Sequence, residues 1–135
     1  MPENKKSLLD SFAMLAFLNK ESGFEKVRSL LRQAEGSNEP LVMNEINIGE
    51  VYYITARTRS LDLAEDFLNR LETLPLQIVT NSYAHVLEAA RFKARFPISY
   101  ADAFAVATAI RMNAAIVTGD PEFRRVEQLV TVNWL

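Results

Sequence analysis

The sequence predicts an α/β domain, with a central parallel sheet and helices on both faces. Three observations lead there. Short apolar runs of strand character alternate with longer segments whose apolar residues recur at helical spacing. Helix-starting Asn44, Ser82 and Ser99 and helix-stopping Pro75 and Pro97 punctuate that alternation. The chain has 135 residues, 49% of them hydrophobic and 24% charged, with no repeat, low-complexity tract or long linker, so one domain across residues 1–135 is expected.

In order, Lys6 to Leu9 reads as a short strand. Ser11 to Lys20 reads as a helix with Phe12, Leu15 and Ala16 at helical spacing. Gly23 to Glu35, carrying Val27, Leu30, Leu31 and Ala34, reads as a second helix, ended by a turn at Gly36-Ser37-Asn38. Pro40 to Met43 is a strand, and Asn44 caps a helix reaching about Arg57. Asp62 to Leu74 is a helix stopped by Pro75, and Leu76 to Val79 is a strand. Asn81 or Ser82 opens a helix to about Phe96, and Ser99 opens another to about Met112. Ala115 to Val117 is a strand leading into the turn Thr118-Gly119-Asp120-Pro121, and Val130 to Asn133 fits a last strand. In folds of this kind the site lies beyond the carboxyl ends of the strands.

Composition removes several chemistries. There is no cysteine, hence no disulfide, thiolate site or cysteine nucleophile, and the lone histidine, His85, builds no multi-histidine metal site. No glycine-rich loop ending in Lys-Ser/Thr is present, which excludes a P-loop enzyme. A haloacid-dehalogenase-like phosphatase needs a second aspartate two residues after the first, where this chain has Phe12. A receiver-type signalling domain also gathers carboxylates at the sheet edge, but in a different order of motifs. The net charge of −2 argues against general nucleic-acid coating, and less against a nuclease whose acidic ligands mask a basic rim. Lys5 and Lys6 precede Leu8-Leu9 as in a signal peptide, but Asp10 and Ser11 interrupt the apolar run, and Asn19, Lys20 and Glu21 end it. That run is too broken for a signal and too short for a membrane span, so a cytoplasmic, soluble protein is expected.

The chemistry rests on acids. Asp10 follows the first strand, and Asp120 follows the strand Ala115 to Val117 after a short turn, which places both at the carboxyl edge. Asp102 lies in the first turn of its helix, with Val106, Ala109 and Ile110 on or near its face. Glu50 shares a helix face with Ile46, Tyr53 and Ile54, an apolar setting in which a carboxylate is costly unless paired or metal-bound. No basic residue stands beside Glu50 or Asp102 within a helical turn on the same side, and a divalent cation such as Mg²⁺ or Mn²⁺ suits an all-oxygen set. Each acid also has a purely structural reading. Asp10 and Asp120 have the form of N-caps, the latter with Pro121 at the first helical position. Ser99 to Asp102 has the form of a capping box, and Glu50 can reach solvent.

Four segments together resemble the PIN-domain family. They are Leu8-Leu9-Asp10-Ser11-Phe12-Ala13, Asn47-Ile48-Gly49-Glu50-Val51-Tyr52-Tyr53, Ile98 to Ala107 around Tyr100-Ala101-Asp102, and Ile116-Val117-Thr118-Gly119-Asp120-Pro121-Glu122-Phe123. The resemblance spans about Ser7 to Leu135, and a small isolated PIN domain is similar to VapC toxins of toxin–antitoxin pairs. It implies a three-layer α/β/α fold, Mg²⁺- or Mn²⁺-dependent hydrolysis of RNA, frequent homodimers and inhibition by a small VapB-type antitoxin. It implies Asp10, Glu50, Asp102 and Asp120 as metal-holding catalytic residues, with Thr118 and Ser11 supporting them by hydrogen bonds. The chain departs from the usual pattern at Met43-Asn44-Glu45, where a small hydroxyl residue is more common, and Glu45 fits helix N-terminal charge compensation better than ligation. The alternative function is a non-catalytic PIN-fold scaffold or RNA-binding module.

RNA backbone contacts need cations. Arg124 and Arg125, just past Asp120, are the expected pair, while Arg91, Lys93 and Arg95 and the helix-ending Arg57 and Arg59 read first as surface charge. Trp134 and Phe104 read as core. Tyr52 and Tyr53 read as core or as a dimer or antitoxin surface, and His85 as an ordinary helix residue.

Overall fold

The computed structural model describes residues 5–135, so residues 1–4 of the expected domain lie outside the described residues. Its elements are β1 (Lys6–Leu9), α1 (Ser11–Asn19), α2 (Phe24–Ser37), β2 (Leu41–Asn44), α3 (Glu45–Thr58), α4 (Leu61–Leu71), β3 (Leu76–Val79), α5 (Tyr83–Arg95), α6 (Tyr100–Met112), β4 (Ala114–Thr118), a 3-10 helix (Pro121–Val126) and β5 (Val132–Trp134). Local chemistry sets most boundaries. Asn44, Ser60, Ser82 and Ser99 each accept a backbone N–H from the first turn of the following helix, filling a donor the helix leaves orphaned. Asn38 and Asn113 end α2 and α6 in the left-handed conformation that asparagine tolerates.

Several boundaries differ from expectation. The turn foreseen at Gly36-Ser37-Asn38 begins only at Asn38, because α2 continues through Gly36 and Ser37, whose hydroxyl donates back to Gln33 O at 2.8 Å. The helix expected over Asp62 to Leu74 is capped by Ser60 and ends at Leu71. Thr118 completes β4 instead of opening a turn, and Asp120-Pro121 starts the 3-10 helix, which shifts the last strand to Val132–Trp134.

All five strands run parallel in the order β3-β2-β1-β4-β5. Strand residues alternate between two cores, as the two-residue period requires. Leu8, Val42 and Ile116 face a layer with Ala89, Phe104, Val106 and Phe123 from α5, α6 and the 3-10 helix. Leu9, Leu41, Met43 and Val117 face Ala13, Val27, Leu31, Val51 and Phe67 from α1 to α4. The result is the three-layer α/β/α fold. From β1 the chain winds outward through β2 to β3, then returns to the other side of β1 for β4 and β5. The switch point where winding reverses therefore lies between β1 and β4, and their carboxyl ends open a crevice there.

Candidate metal centre

The register of β1 on β4 pairs Leu9 with Val117, which brings the next residues, Asp10 and Thr118, together at the switch point. Asp10 is 1% exposed, and each of its oxygens has a partner. Oδ1 accepts the Ala13 N–H at 2.9 Å and so caps α1, while Oδ2 accepts the Thr118 hydroxyl at 2.5 Å. The same hydroxyl oxygen accepts the Asp120 N–H at 3.0 Å, and Asp120 Oδ1 caps the 3-10 helix by accepting the Glu122 N–H at 2.9 Å. Capping and clustering are thus not alternatives, because a carboxylate has about four acceptor directions and capping occupies one.

Asp102 is buried in the first turn of α6. Its N–H donates to Ser99 Oγ at 3.1 Å, which is one half of a capping box. The other half is not made by Asp102, since the Ser99 N–H donates to Glu122 Oε1 at 3.0 Å. That substitution leaves the Asp102 side chain free to meet Glu122. Asp102, Asp120 and Glu122 each offer an oxygen within 4.8 Å of the others. Glu50 joins from α3 through the Ser11 hydroxyl, which donates to its Oε1. Asn47, one turn earlier and fully buried, donates to Ser11 Oγ at 3.4 Å and to Ala101 O at 3.2 Å, linking α3, α1 and α6 behind the acids.

Glu50 stands there for a different reason than the sequence suggested. Of its expected apolar companions, Ile46 and Tyr53 are 38% and 48% exposed and Ile54 is half-buried, while the buried face of α3 carries Asn47, Ile48, Val51 and Thr55. Glu50 is half-buried, so its setting is the crevice and not the core. Glu122 was absent from the expected set, although Asp120-Pro121 was a visible helix start. Two residues past the capping aspartate, Glu122 gives Asp120 its N–H and stays beside it, which was the available signal.

The charges are unresolved by the protein itself. Burial pushes Asp10 from 3.8 up to about 7, against the lowering effect of its two hydrogen bonds, and the Asp120 and Glu50 charges add to the rise. Burial is also the largest influence on Asp102, followed by its hydrogen bond with Glu122 and the charges of Asp120 and Asp10, all upward. The same hydrogen bond is the largest influence on Glu122, downward, so the pair shares one proton and the more buried Asp102 keeps it. The ion pairs among the described residues, Arg28–Glu25 and Arg111–Glu88, involve none of these acids.

The donor set fits a hard divalent cation, since every candidate ligand is a carboxylate oxygen. His85 is engaged elsewhere, its Nδ1 accepting the Ser82 N–H at 3.3 Å at the start of α5. Glu45 is also elsewhere, its Oε2 accepting the Asn81 N–H at 2.8 Å. Of the two neighbouring arginines, Arg124 lies over the Trp134 ring, 4.8 Å from its centroid, while Arg125 donates to Pro97 O at 2.6 Å and its charge acts on Glu122.

No curated protein sequence matches the chain. Solved structures do. VapBC2 of Rickettsia felis, bound to a promoter DNA fragment, is 19% identical with a TM-score of 0.75, covering 96% of this chain and 98% of that one. The DNA-bound VapBC of Salmonella typhimurium is 13% identical with a TM-score of 0.73 over the same shares. VapC20 of Mycobacterium tuberculosis, a toxin described as cleaving the sarcin–ricin loop, is 15% identical with a TM-score of 0.71, covering 88% and 93%. At these identities the likeness speaks for the fold. The family model for the PIN domain matches residues 7–129, from β1 through the 3-10 helix and past every acid of the crevice. The chain belongs to the PIN domain family.

Proposed function

We propose that this chain is a Mg²⁺- or Mn²⁺-dependent endoribonuclease of the VapC toxin type, a single PIN domain across residues 1–135. The observation that carries the reading is five carboxyl groups converging at one switch point with no ion pair to any of them among the described residues. Folding tolerates such a cluster only as protonated acids or as ligands. Asp10, Glu50, Asp102 and Asp120 are the proposed metal-holding catalytic residues, and Glu122 extends the set.

A cation bound there supplies the positive charge that offsets carboxylate repulsion, polarises phosphoryl oxygens and lowers the pKa of water. The protein supplies the frame. Thr118 fixes the Asp10 carboxyl by donating to Oδ2, and Ser11 steers Glu50. Ser99 and Glu122 hold the first turn of α6, so Asp102 faces the crevice. Without a cation, the upward push on Asp102 and the downward one on Glu122 favour a proton at Asp102, which would limit repulsion there.

The partners follow the neighbours. The Rickettsia and Salmonella structures are VapBC complexes, which supports a VapB-type antitoxin for this chain. A homodimer and a cytoplasmic setting complete the proposal. No described helix is long and apolar enough to cross a membrane.

The test is cleavage of a mixed RNA pool by the purified chain with Mn²⁺ or Mg²⁺, with EDTA, and with Asp10→Ala. Metal-dependent cleavage that drops at least about a thousandfold in the variant, as expected when several kcal/mol of transition-state charge stabilisation go, supports the proposal. Cleavage that survives both EDTA and the variant sinks the metal assignment. RNA binding without any cleavage would instead leave a non-catalytic scaffold.

A further inference from the structure

Lys93 and Arg125 come from different elements, the last turn of α5 and the 3-10 helix, and meet over one dipeptide. Lys93 Nζ donates to Ile98 O at 2.9 Å, and Arg125 Nη1 donates to Pro97 O at 2.6 Å. The next residue, Ser99, gives its N–H to Glu122, whose carboxyl reaches Asp102 and Asp120. Three consecutive residues of the α5–α6 connection therefore link two fixed cations to the edge of the acidic crevice, and both charges act on Glu122.

A carbonyl tether locates a charge without cancelling it. Neither Lys93 nor Arg125 belongs to an ion pair among the described residues, and both side chains are exposed. One hydrogen bond each leaves four of the five arginine N–H donors and two of the three lysine donors unspent. Heads already held in place lose little conformational freedom when a ligand arrives. Lys26 is tethered in the same way, to Trp134 O at 2.7 Å, but away from the α5–α6 connection, and several other cations are occupied differently. Arg124 lies on Trp134, Arg95 on Phe96 and Arg57 on Tyr53, and Arg111 pairs with Glu88.

A crevice lined by carboxylates repels a polyanion, so a backbone reaching it needs attraction at the rim. We infer that Lys93 and Arg125 form a seat for an RNA backbone phosphate beside the acidic centre, and that the bound strand crosses the α5–α6 connection. The inference rests on the ribonuclease reading for its ligand. A lysine point charge beside an arginine fork matches the oxygens of a phosphate.

The experiment reads binding, not turnover. A fluorescent single-stranded oligoribonucleotide of mixed sequence is titrated with the protein, with Ca²⁺ in place of Mn²⁺ to hold back cleavage, from about 50 to about 200 mM salt. Lys93→Gln and Arg125→Gln should each flatten the slope of log K against log salt, by up to about 0.7 for the one phosphate they share, while Arg124→Gln leaves it unchanged. All three variants should still bind Mn²⁺, and Arg125→Lys should restore the slope. If the glutamine variants do not fold, Lys93→Met and Arg125→Met keep the aliphatic stems and read the same slope. Unchanged slopes with RNA still bound overturn the seat and leave the ribonuclease reading standing. A wild type that does not bind RNA overturns both. Unchanged slopes together with lost affinity for a poly-glutamate peptide would reassign the pair to an acidic protein.

Discussion

Asp10 and Asp102 are both buried at the switch point, yet the fold treats them differently. Asp10 follows a strand and receives two donors, the Ala13 N–H and the Thr118 hydroxyl, which pull its pKa down against burial. Asp102 sits on a helix whose N-terminal donors go elsewhere, and the group facing its carboxyl is a second acid, Glu122. One carboxylate is solvated by protein dipoles, while the other depends on a proton or a cation. The difference teaches that a crevice of this kind is half preorganised, and that the unsolvated half makes cation binding and stability interdependent.

The strongest challenge to that comparison is pH. Both carboxyls have folded pKa values above the ordinary 3.8, so the folded chain holds these protons more tightly than the unfolded one. The stabilisation from protonation is whole below about pH 4 and is lost as pH climbs through about 7 for Asp10 and beyond that for Asp102. Metal-free protein should therefore melt at lower temperature at about pH 8 than at about pH 5. A fixed Mn²⁺ concentration, about a hundred times its Kd at about pH 8, should restore roughly 2.7 kcal/mol there, on the order of 10 °C, and less at about pH 5, where protons compete for the same oxygens. Calorimetric melting curves with equal Tm at both pH values and equal Mn²⁺ shifts would break the comparison.

Removing the dipoles that serve Asp10 sharpens it. Thr118→Val deletes the donor to Asp10 and the acceptor for the Asp120 N–H. Mn²⁺ affinity should fall about 10- to 100-fold, the usual loss for a group that orients a ligand. Isothermal titration with an affinity within twofold of the wild type would show that the hydroxyl serves only the strand end. The smallest effect separates the two aspartates directly. Asp102→Asn removes a carboxyl that must take up a proton to fold at about pH 8 and should raise the metal-free Tm there by a few degrees, roughly 1 kcal/mol. Asp10→Asn should bring no such gain, because the amide replaces an oxygen that already accepts a hydroxyl. Equal gains would erase the distinction.

How much of this was legible in the sequence follows from range. Caps at Asn44, Ser82 and Ser99 were legible because they act within one helical turn, and the alternation of strand and helix fixed the layer architecture. The cap-like look of Asp10 and Asp120 was also correct, but capping turned out to share residues with the acidic cluster. Sheet order was not legible, since pairing β1 with both β2 and β4 is a long-range choice. The helical wheel placed Glu50 among apolar neighbours of which Ile46 and Tyr53 are in fact exposed and Ile54 half-buried, because the wheel gives angle and not which sector meets the core. Arg124 and Arg125 read alike in sequence and differ in structure because one meets the Trp134 ring and the other the Pro97 carbonyl.

The hydrogen bond between Thr118 and Asp10 spans 108 positions of chain. During synthesis at about 5–20 residues per second, β1 and β2 can pair early, while Asp10 waits for a strand not yet made. A nascent chain that ends before β4 carries Asp10, Glu50 and Asp102 without Thr118, Asp120 or Glu122. The crevice closes only once residues 114–122 have been made, so translation itself delays whatever chemistry these carboxylates support until synthesis has passed Glu122.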